Sequence, residues 1–327
     1  MRAAWYEKTG PAEEVLILGE LPDPVPQPGE VLVRLRTSGI NPSDVRRRSG
    51  DVPTQPFPQI VPHNDGAGEI VAVGAGVPDR RIGERVWLFK AQWQRPFGTA
   101  AELIALPAAL AVPLPHGISW EAAAALGIPA LTAWYCLACA GPLAGKRVLV
   151  TGGTGAVGQA AVQLARWAGA AMVAATAGSE TKAGLAAGDG ADPVVRHDRP
   201  GWGEALSRAV PDDFDLIVEV AVGSNIETTL ALLGRGGTIV GYDSKDRQVV
   251  PLPFYALMRK LGSLRSVHAY AIDGAPEQEA VAALTAALAA GSLQPRIAQV
   301  LPLSEIVAAH RLVETGHPVG KVLLSLS

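Results

Sequence analysis

Cysteine is nearly missing: the 327 residues carry two, Cys136 and Cys139. So few thiols exclude a disulfide framework and suit a reducing compartment, so a cytoplasmic location is expected. The pair falls three apart within an expected helix, not at its N-terminus where a redox-active pair belongs, and reads as buried structural thiols. Net charge is small too, −3 from 28 basic and 31 acidic side chains. That gives no electrostatic reason to expect nucleic acid or an anionic membrane as partner. No run of about 18 apolar residues stands out, and the opening segment, Met1 to Trp5, reads as a strand. Neither a membrane span nor a signal peptide is expected. What remains, with 48% apolar and 18% charged residues, is a globular, enzyme-like chain. It is long enough for two domains, or for one domain carrying a large insertion.

The stretch Arg147 to Gly169 organises the rest. Val148 to Val150 is a short apolar run of the kind that forms a strand buried on both faces. A glycine turn follows, and then a helical pattern with Ala161, Leu164, Ala165 and Ala168 on one face. Gly153-x-Gly155-x-x-Gly158 sits at the join. The first glycine permits the tight turn, the second lets backbone approach a pyrophosphate, and the third lets helix and strand pack closely. The helix N-terminus adds free N–H groups and a positive dipole end. Gly152, Gly153, Gly155, Ala156, Val157 and Gly158 are therefore the expected phosphate-binding residues, and strand before with helix after is the context that supports them.

Before this stretch, residues 1 to about 120 lack long helical periodicity. Val15–Leu18, Val31–Arg36, Glu69–Val73 and Arg85–Phe89 are short runs separated by proline and glycine breakers. They predict a small β-rich domain of barrel type. Ser119 is a plausible N-cap for an alanine-rich helix ending near Gly127, and Pro129 suits the first turn of a second helix reaching about Ala140. Strands are then expected at 148–151, 171–176, 193–196, 214–220, 237–242 and about 263–268, alternating with helices. Six such strands make a complete parallel dinucleotide fold. Two more helices, Glu277–Ala290 and Ser304–Thr315, precede a last apolar strand, Lys321–Leu326. This tail is too short for a third domain and is expected to return to the first. The expected division is 1–121 with 269–327, and 122–268.

The nucleotide's phosphate state is read after the second strand. An acidic residue there, about 20 positions past the glycines, binds the ribose hydroxyls of NAD. Ala171 to Thr176 ends without one, and Ser179 and Lys182 follow. A hydroxyl and an ammonium suit a 2′-phosphate, so NADPH is favoured. Arg196 or His197 could add a contact. Glu180 opposes this reading if it turns inward, but it also suits the first turn of the next helix.

With these pieces placed, the chain resembles the quinone oxidoreductase (zeta-crystallin-like) branch of the medium-chain dehydrogenase/reductase superfamily over nearly its whole length. Ser38-Gly-Ile-Asn41-Pro-Ser-Asp44 looks like the family's active-site loop, and Pro62-His-Asn-Asp65-Gly-Ala-Gly68 like its glycine-rich strand turn. Ile128-Pro-Ala-Leu-Thr132 is similar to the segment whose threonine lies beside the nicotinamide, Lys182 falls on the lysine that contacts the 2′-phosphate, and Gly320-Lys321-Val322 is similar to a C-terminal signature. The resemblance implies a GroES-like β-rich catalytic domain plus a six-stranded Rossmann domain, an α/β fold. It implies Asn41, Asp44 and Thr132 as catalytic residues, His197, Gly241 and Lys321 as further cofactor contacts, and a homodimer formed through the Rossmann domain, around 237–268. Arg46, Val52 and His197 depart from tyrosines common in relatives.

Zinc enzymes share this architecture, so the ligand inventory matters. A catalytic zinc takes three Cys, His or acidic ligands. No Cys or His stands at the Asn41 loop, Asn64 fills the slot of a second ligand, and His63 is one residue off it, a turn residue. The four-cysteine lobe is missing, and no metal is expected. Without a Lewis acid to activate an alcohol, hydride from NADPH should go to ready electrophiles. Quinones come first, with enone or enoyl-thioester double bonds as the alternative, and a non-catalytic NADPH-binding protein as a third reading. Asn41 and Thr132 can supply donors for a developing oxyanion. Asp44 can serve as an acid only if burial raises its pKa. Asn41 and Asp44 can also be read as a local Asn-Pro turn. Arg46, Arg47 and Arg48 read as solvated loop charges, or more sharply as a preference for anionic acceptors.

Overall fold

The short runs of the first 120 residues become strands β1 (Arg2–Trp5), β2 (Ile17–Glu20), β3 (Glu30–Ile40), β4 (Asp65–Val73), β5 (Arg85–Leu88), β6 (Leu103–Pro107) and β7 (Ala111–Pro113) in the computed structural model. Residues 1–53, 57–244, 247, 249–316 and 318–326 are described. Two short helices interrupt the strands, α1 (Ala12–Val15) and α2 (Pro42–Ser49). The expected strand Val15–Leu18 is divided, with Val15 closing α1 and Ile17 opening β2. In β3, Val31, Val33 and Leu35 alternate inward onto the core, the period-two signature of a sheet with one buried face.

A longer helix, α3 (Trp120–Ala138), follows. Ser119 Oγ accepts from Ala122 N at 3.1 Å, so the expected N-cap is in place. The helix bends at Gly127 (φ 14°, ψ −118°), two residues before Pro129, a breaker pair that accounts for the kink. By length and composition α3 could cross a membrane, yet 78% of that window is buried inside the protein. Kinked and covered, it has the character of a core helix.

The second half of the chain alternates strictly: β8 (Arg147–Val150), α4 (Ala156–Trp167), β9 (Met172–Ala177), α5 (Glu180–Gly188), β10 (Val194–Arg196), α6 (Trp202–Ala209), β11 (Phe214–Glu219), α7 (Val222–Leu232), β12 (Leu233–Gly241), α8 (Phe254–Arg259), β13 (Ser263–Ser266) and α9 (Ala275–Ala289). Every pairing in this sheet is parallel, in the order β10-β9-β8-β11-β12-β13. Val148, Leu149 and Val150 on β8, and Leu216, Ile217 and Val218 on β11, are fully buried, because helices cover both faces of the sheet. The order reverses between β8 and β11, and such a switch point is where open parallel sheets bind ligands.

The tail returns as β14 (Ile297–Pro302), α10 (Ile306–Glu314) and β15 (Lys321–Ser325). β15 pairs with the Thr37–Ile40 half of β3, while β6 pairs with the Glu30–Arg34 half. The mostly antiparallel sheet therefore runs β14-β15-β3-β4-β5-β7, with β6 also on β3. The chain forms two compact units, Met1–Pro129 with Pro295–Ser327, and Ala130–Gln294. These boundaries differ from the expected 121/122 and 268/269, chiefly because α9 belongs to the parallel unit. Gln294, which follows α9, is held by α4: its N–H donates to Gln163 Oε1 at 2.9 Å, and its carbonyl accepts from Gln159 Nε2 at 3.2 Å.

The kink also sets a constraint. A Cβ on Gly127 would run into the Asp65 carboxyl, whose Oδ1 accepts from Ile128 N at 2.9 Å. Gly127→Ala should therefore lower stability by about 3 kcal/mol, seen as a lower urea midpoint at an unchanged m-value.

Candidate active site

The glycine turn between β8 and α4 has the spaces its three glycines require. A Cβ on Gly158 would strike the Gly152 carbonyl, and one on Gly153 would lie 2.8 Å from the Ala175 side chain. Gly155 is different: its nearest neighbour would be Gly152 O at 3.6 Å, so that face is open. The first intrahelical bond runs from Gln159 N to Gly155 O at 2.8 Å. The N–H groups of Ala156, Val157 and Gly158 precede it, and among the described residues no side chain caps them. Free amides, a helix dipole and an open glycine make a cradle that fits a pyrophosphate. Gly241, also expected at this site, ends β12, where a Cβ would strike Val222 of α7.

The ends of β9 and β10 converge beside this turn. Thr176 Oγ1 accepts from Gly152 N at 3.0 Å and lies 3.2 Å from His197 Nδ1, while the Thr176 carbonyl accepts from Gly153 N at 2.9 Å. The other side of the His197 ring faces Gly178. Ser179 caps α5 by accepting from Lys182 N at 3.2 Å. Burial of the ring, helped by the Lys182 ammonium and opposed by Asp198, lowers the His197 pKa. Ser179, Lys182 and His197 thus flank one corner. Arg196 is committed elsewhere, to Asp198 at 2.5 Å and Glu180 at 3.5 Å. Glu180 accordingly faces Arg196, in the first turn of α5.

In the other unit, Asn41 is not in a loop: it is the N-cap of α2, with Pro42 at the first position. Asp44 completes the capping box, accepting from Asn41 N at 2.8 Å, and its other oxygen accepts from Asn64 Nδ2 at 2.8 Å. Burial raises the Asp44 pKa, which meets one condition for an acid, but both of its oxygens are occupied. In this structure its work is to hold the Asn41 turn. Asn41 Nδ2 donates to Asp65 Oδ2 at 2.8 Å, and its Oδ1 accepts from the Lys321 ammonium, which also reaches Asp65 Oδ2 at 2.8 Å. Lys321 and Asp65 are 3% and 0% exposed at their side chains. Lys321, expected to touch cofactor, therefore has its charge bound to Asp65 and Asn41. Burial pushes the Asp65 carboxyl up, against the pull of Lys321, Asn41 and Ile128 N–H. Thr132 belongs to the parallel unit, buried in the half of α3 past the kink.

Two of the three clustered arginines are not solvated. Arg48 is fully buried and pairs with Glu314 of α10 and the Gly10 carbonyl. Arg47, 9% exposed, donates to Gln92 Oε1 at 3.4 Å and lies 5.0 Å over the Trp93 ring. Both expectations for these residues fail in the case of Arg48, whose cation is an internal tie between α2 and α10. Of the two cysteines, Cys136 is buried in α3, and Cys139 lies just beyond its end and is half-buried. Burial pushes the Cys136 thiol well up.

His63 lies in a left-handed conformation (φ 80°) at the turn before β4. Its hydrogen bonds fix their own directions. Thr99 Oγ1 donates to the Asp65 carbonyl at 2.6 Å, so it must accept from Ser38 Oγ at 2.7 Å. Ser38 must then accept from His63 Nδ1–H at 2.8 Å, leaving Nε2 to accept from His310 Nε2–H at 2.9 Å. Both His63 nitrogens are taken, so this ring has no lone pair to offer a metal. Among the described residues no three His, Cys, Asp or Glu side chains come together as a metal-holding group.

Residues 27–116 match the family described as "Alcohol dehydrogenase GroES-like domain", and residues 190–324 the one described as "Zinc-binding dehydrogenase". The quinone oxidoreductase of Sus scrofa is 31% identical over 331 residues, covering 100% of this chain and 98% of that one. This chain belongs to the quinone oxidoreductase (zeta-crystallin-like) branch of the medium-chain dehydrogenase/reductase superfamily. Solved structures agree with that placement. The quinone oxidoreductase of Thermus thermophilus, described with its NADPH complex, is 31% identical with TM-score 0.83, and each chain is covered in full. An NAD-dependent alcohol dehydrogenase is 30% identical with TM-score 0.90, again with both chains covered in full. Like its relatives in the branch, the protein is an NAD(P)H-dependent oxidoreductase with a GroES-like domain, a Rossmann domain, a nicotinamide cofactor and a small-molecule substrate.

Two features of this branch member escape sequence reasoning. Asp65 and Lys321 are 256 positions apart, and His63 and His310 are 247 apart, so no local pattern joins them. The histidine pair has a measurable consequence. Burial pushes His63 down to about 3, and His310 well below its ordinary value. Folding therefore favours the neutral rings, and that stability is whole above the unfolded value near 6.5. It is lost as pH falls from there toward the folded values, at about 1.4 kcal/mol per pH unit for each ring. Urea titrations of wild type and His310→Gln at pH 7 and pH 5.5 should show the loss as a difference between the two, the variant lacking about one proton of the slope.

Proposed function

We propose that the protein is a zinc-independent NADPH:quinone reductase. The bound cofactor supplies hydride from its dihydronicotinamide; the chain binds and orients the partners. The observation that carries the reading is the pairing of an uncharged Asn64, in the slot where zinc enzymes of this architecture place a ligand, with a corner of Ser179, Lys182 and His197 that suits a 2′-phosphate. Asn64 is occupied on both sides of its amide, donating to Asp44 and accepting from Gln92 N at 3.2 Å. With no activated alcohol to oxidise, an acceptor that is already electrophilic fits best. Asn41 keeps one Nδ2 hydrogen beyond the one given to Asp65, a fixed donor for a developing oxyanion. Two non-disulfide cysteines support a cytoplasmic location.

A homodimer through the Rossmann unit is part of the proposal. β13 is exposed at all four positions on the sheet edge, beside Phe254, Tyr255 and Leu261, which are 61%, 68% and 62% exposed. An open edge next to an apolar patch suits a second copy of the same strand.

Steady-state turnover of 1,4-benzoquinone with NADPH and with NADH, each with and without a strong chelator, tests the reading. NADPH should be preferred and the chelator without effect; loss of activity to the chelator would overturn the zinc-free assignment. Lys182→Ala should raise the KM for NADPH by roughly 10- to 100-fold, as expected for one charge-assisted contact, and leave NADH nearly unchanged. Equal losses for the two cofactors would remove Lys182 from the 2′-phosphate.

A further inference from the structure

Glu219 is a carboxyl group in an unusual place. It ends β11 at the carboxyl edge of the parallel sheet, next to the end of β8, where the strand order reverses. It is fully buried. Its Oε1 gathers three donors: the Thr151 hydroxyl at 2.9 Å, Ala221 N–H at 2.6 Å and Asn225 Nδ2 at 3.0 Å. Thr151 Oγ1 in turn accepts from Val220 N at 3.1 Å. Oε2 is buried and has no partner among the described residues.

We propose that Glu219 is a positioning residue for the dinucleotide: through the donors on Oε1 it pins the end of β8, where the glycine turn begins, to the first turn of α7. The inference rests on the reading that a nicotinamide dinucleotide lies at that turn. Thr151 immediately precedes Gly152, so the height of the turn above the sheet follows from where the Thr151 hydroxyl is held. Asn225 and Ala221 fix the other wall of the switch point by the same oxygen.

The asymmetry of the two oxygens says which form of the carboxyl does this. An ionised group would place charge on Oε2 with nothing to solvate it. A neutral group keeps Oε1 as the carbonyl acceptor and carries its hydrogen on Oε2, which matches the donors found. Burial pushes the Glu219 pKa up, and Ala221, Asn225, Thr151 and Val220 pull it only partly back. Among the described residues, the titratable groups sharing this neighbourhood are Tyr242 and Asp243 after β12 and Cys136 of α3, and the chain at Arg247, a cation, packs against Gly223 in the first turn of α7. A neutral carboxyl would also spare an anionic group held at the glycine turn a buried negative charge nearby. Because the raised group ionises as pH climbs through its folded value, dinucleotide binding should weaken as pH rises through that value.

Fluorescence titration of the full chain with NADPH and, separately, NADH reads this without turnover. Glu219→Gln keeps the acceptor and is permanently neutral, and it should bind within about threefold of wild type. Glu219→Ala should bind about 10- to 100-fold more weakly. The weakening with rising pH should be present in wild type and absent from Glu219→Gln. An infrared difference spectrum, wild type minus Glu219→Gln at neutral pH, should contain a protonated-carboxyl band. That measurement stands even if the alanine variant does not fold. Glu219→Ala binding as tightly as wild type, the same pH profile in wild type and Glu219→Gln, or a missing band would each overturn the proposal. Wild type binding neither dinucleotide would instead bring down the reading of the glycine turn on which it rests.

Discussion

A lysine ammonium buried against an aspartate sets the geometry of the antiparallel unit. Removing both charges from water is costly, and the Coulombic gain offsets that cost only if the remaining polar atoms are matched. Here they are matched: Asp65 receives Lys321, Asn41 and Ile128 N–H, while Asn41 receives Lys321 and is turned by Asp44. The pair draws β3, α2, β4, β15 and the kinked start of α3 to one point. Such a pair contributes more to specifying one arrangement than to net stability.

The parallel unit solves its binding problem with almost no formal charge. Its proposed phosphate cradle is backbone: an open Gly155, uncapped amides at the start of α4, and a turn tied to Thr176. Among the described residues of the proposed site, a formal charge enters at Lys182. The two units thus work by different electrostatic means, fixed dipoles in one and a compensated ion pair in the other. Both depend on close packing at glycine, since Gly158 and Gly127 leave no room for a side chain.

Much of the fold is legible in the sequence because parallel strands covered on both faces leave continuous apolar runs, as at Val148–Val150, and because glycine marks the turn between strand and helix. The helix at Pro42–Ser49 is harder to see, since PSDVRRRS has no apolar stripe. Yet its start is signalled by Asn41, Pro42 and Asp44, a cap, a first-turn proline and an acid three residues after the cap. Arg48 reads as a solvated charge because arginine is seldom wholly buried, and nothing nearby in sequence announces Glu314. Glu219 does leave a trace: a carboxylate inside the run Phe214–Val220, in a strand with no exposed face, demands an explanation. The sequence names Asn41, Asp44 and Lys321 but not their relation, because that relation is made by strands that meet only in the folded chain.

The position of β15 gives the order in which the molecule can be finished. Residues 130–294 contain every strand of the parallel sheet, and all of them leave the ribosome before Lys321 does. Until then the Thr37–Ile40 half of β3 has β4 on one side but lacks β15 on the other, and Asp65 lacks its cation. A nascent chain can therefore complete its Rossmann unit during synthesis, whereas the unit that holds Asn41 must wait until the codons for β15 have been read.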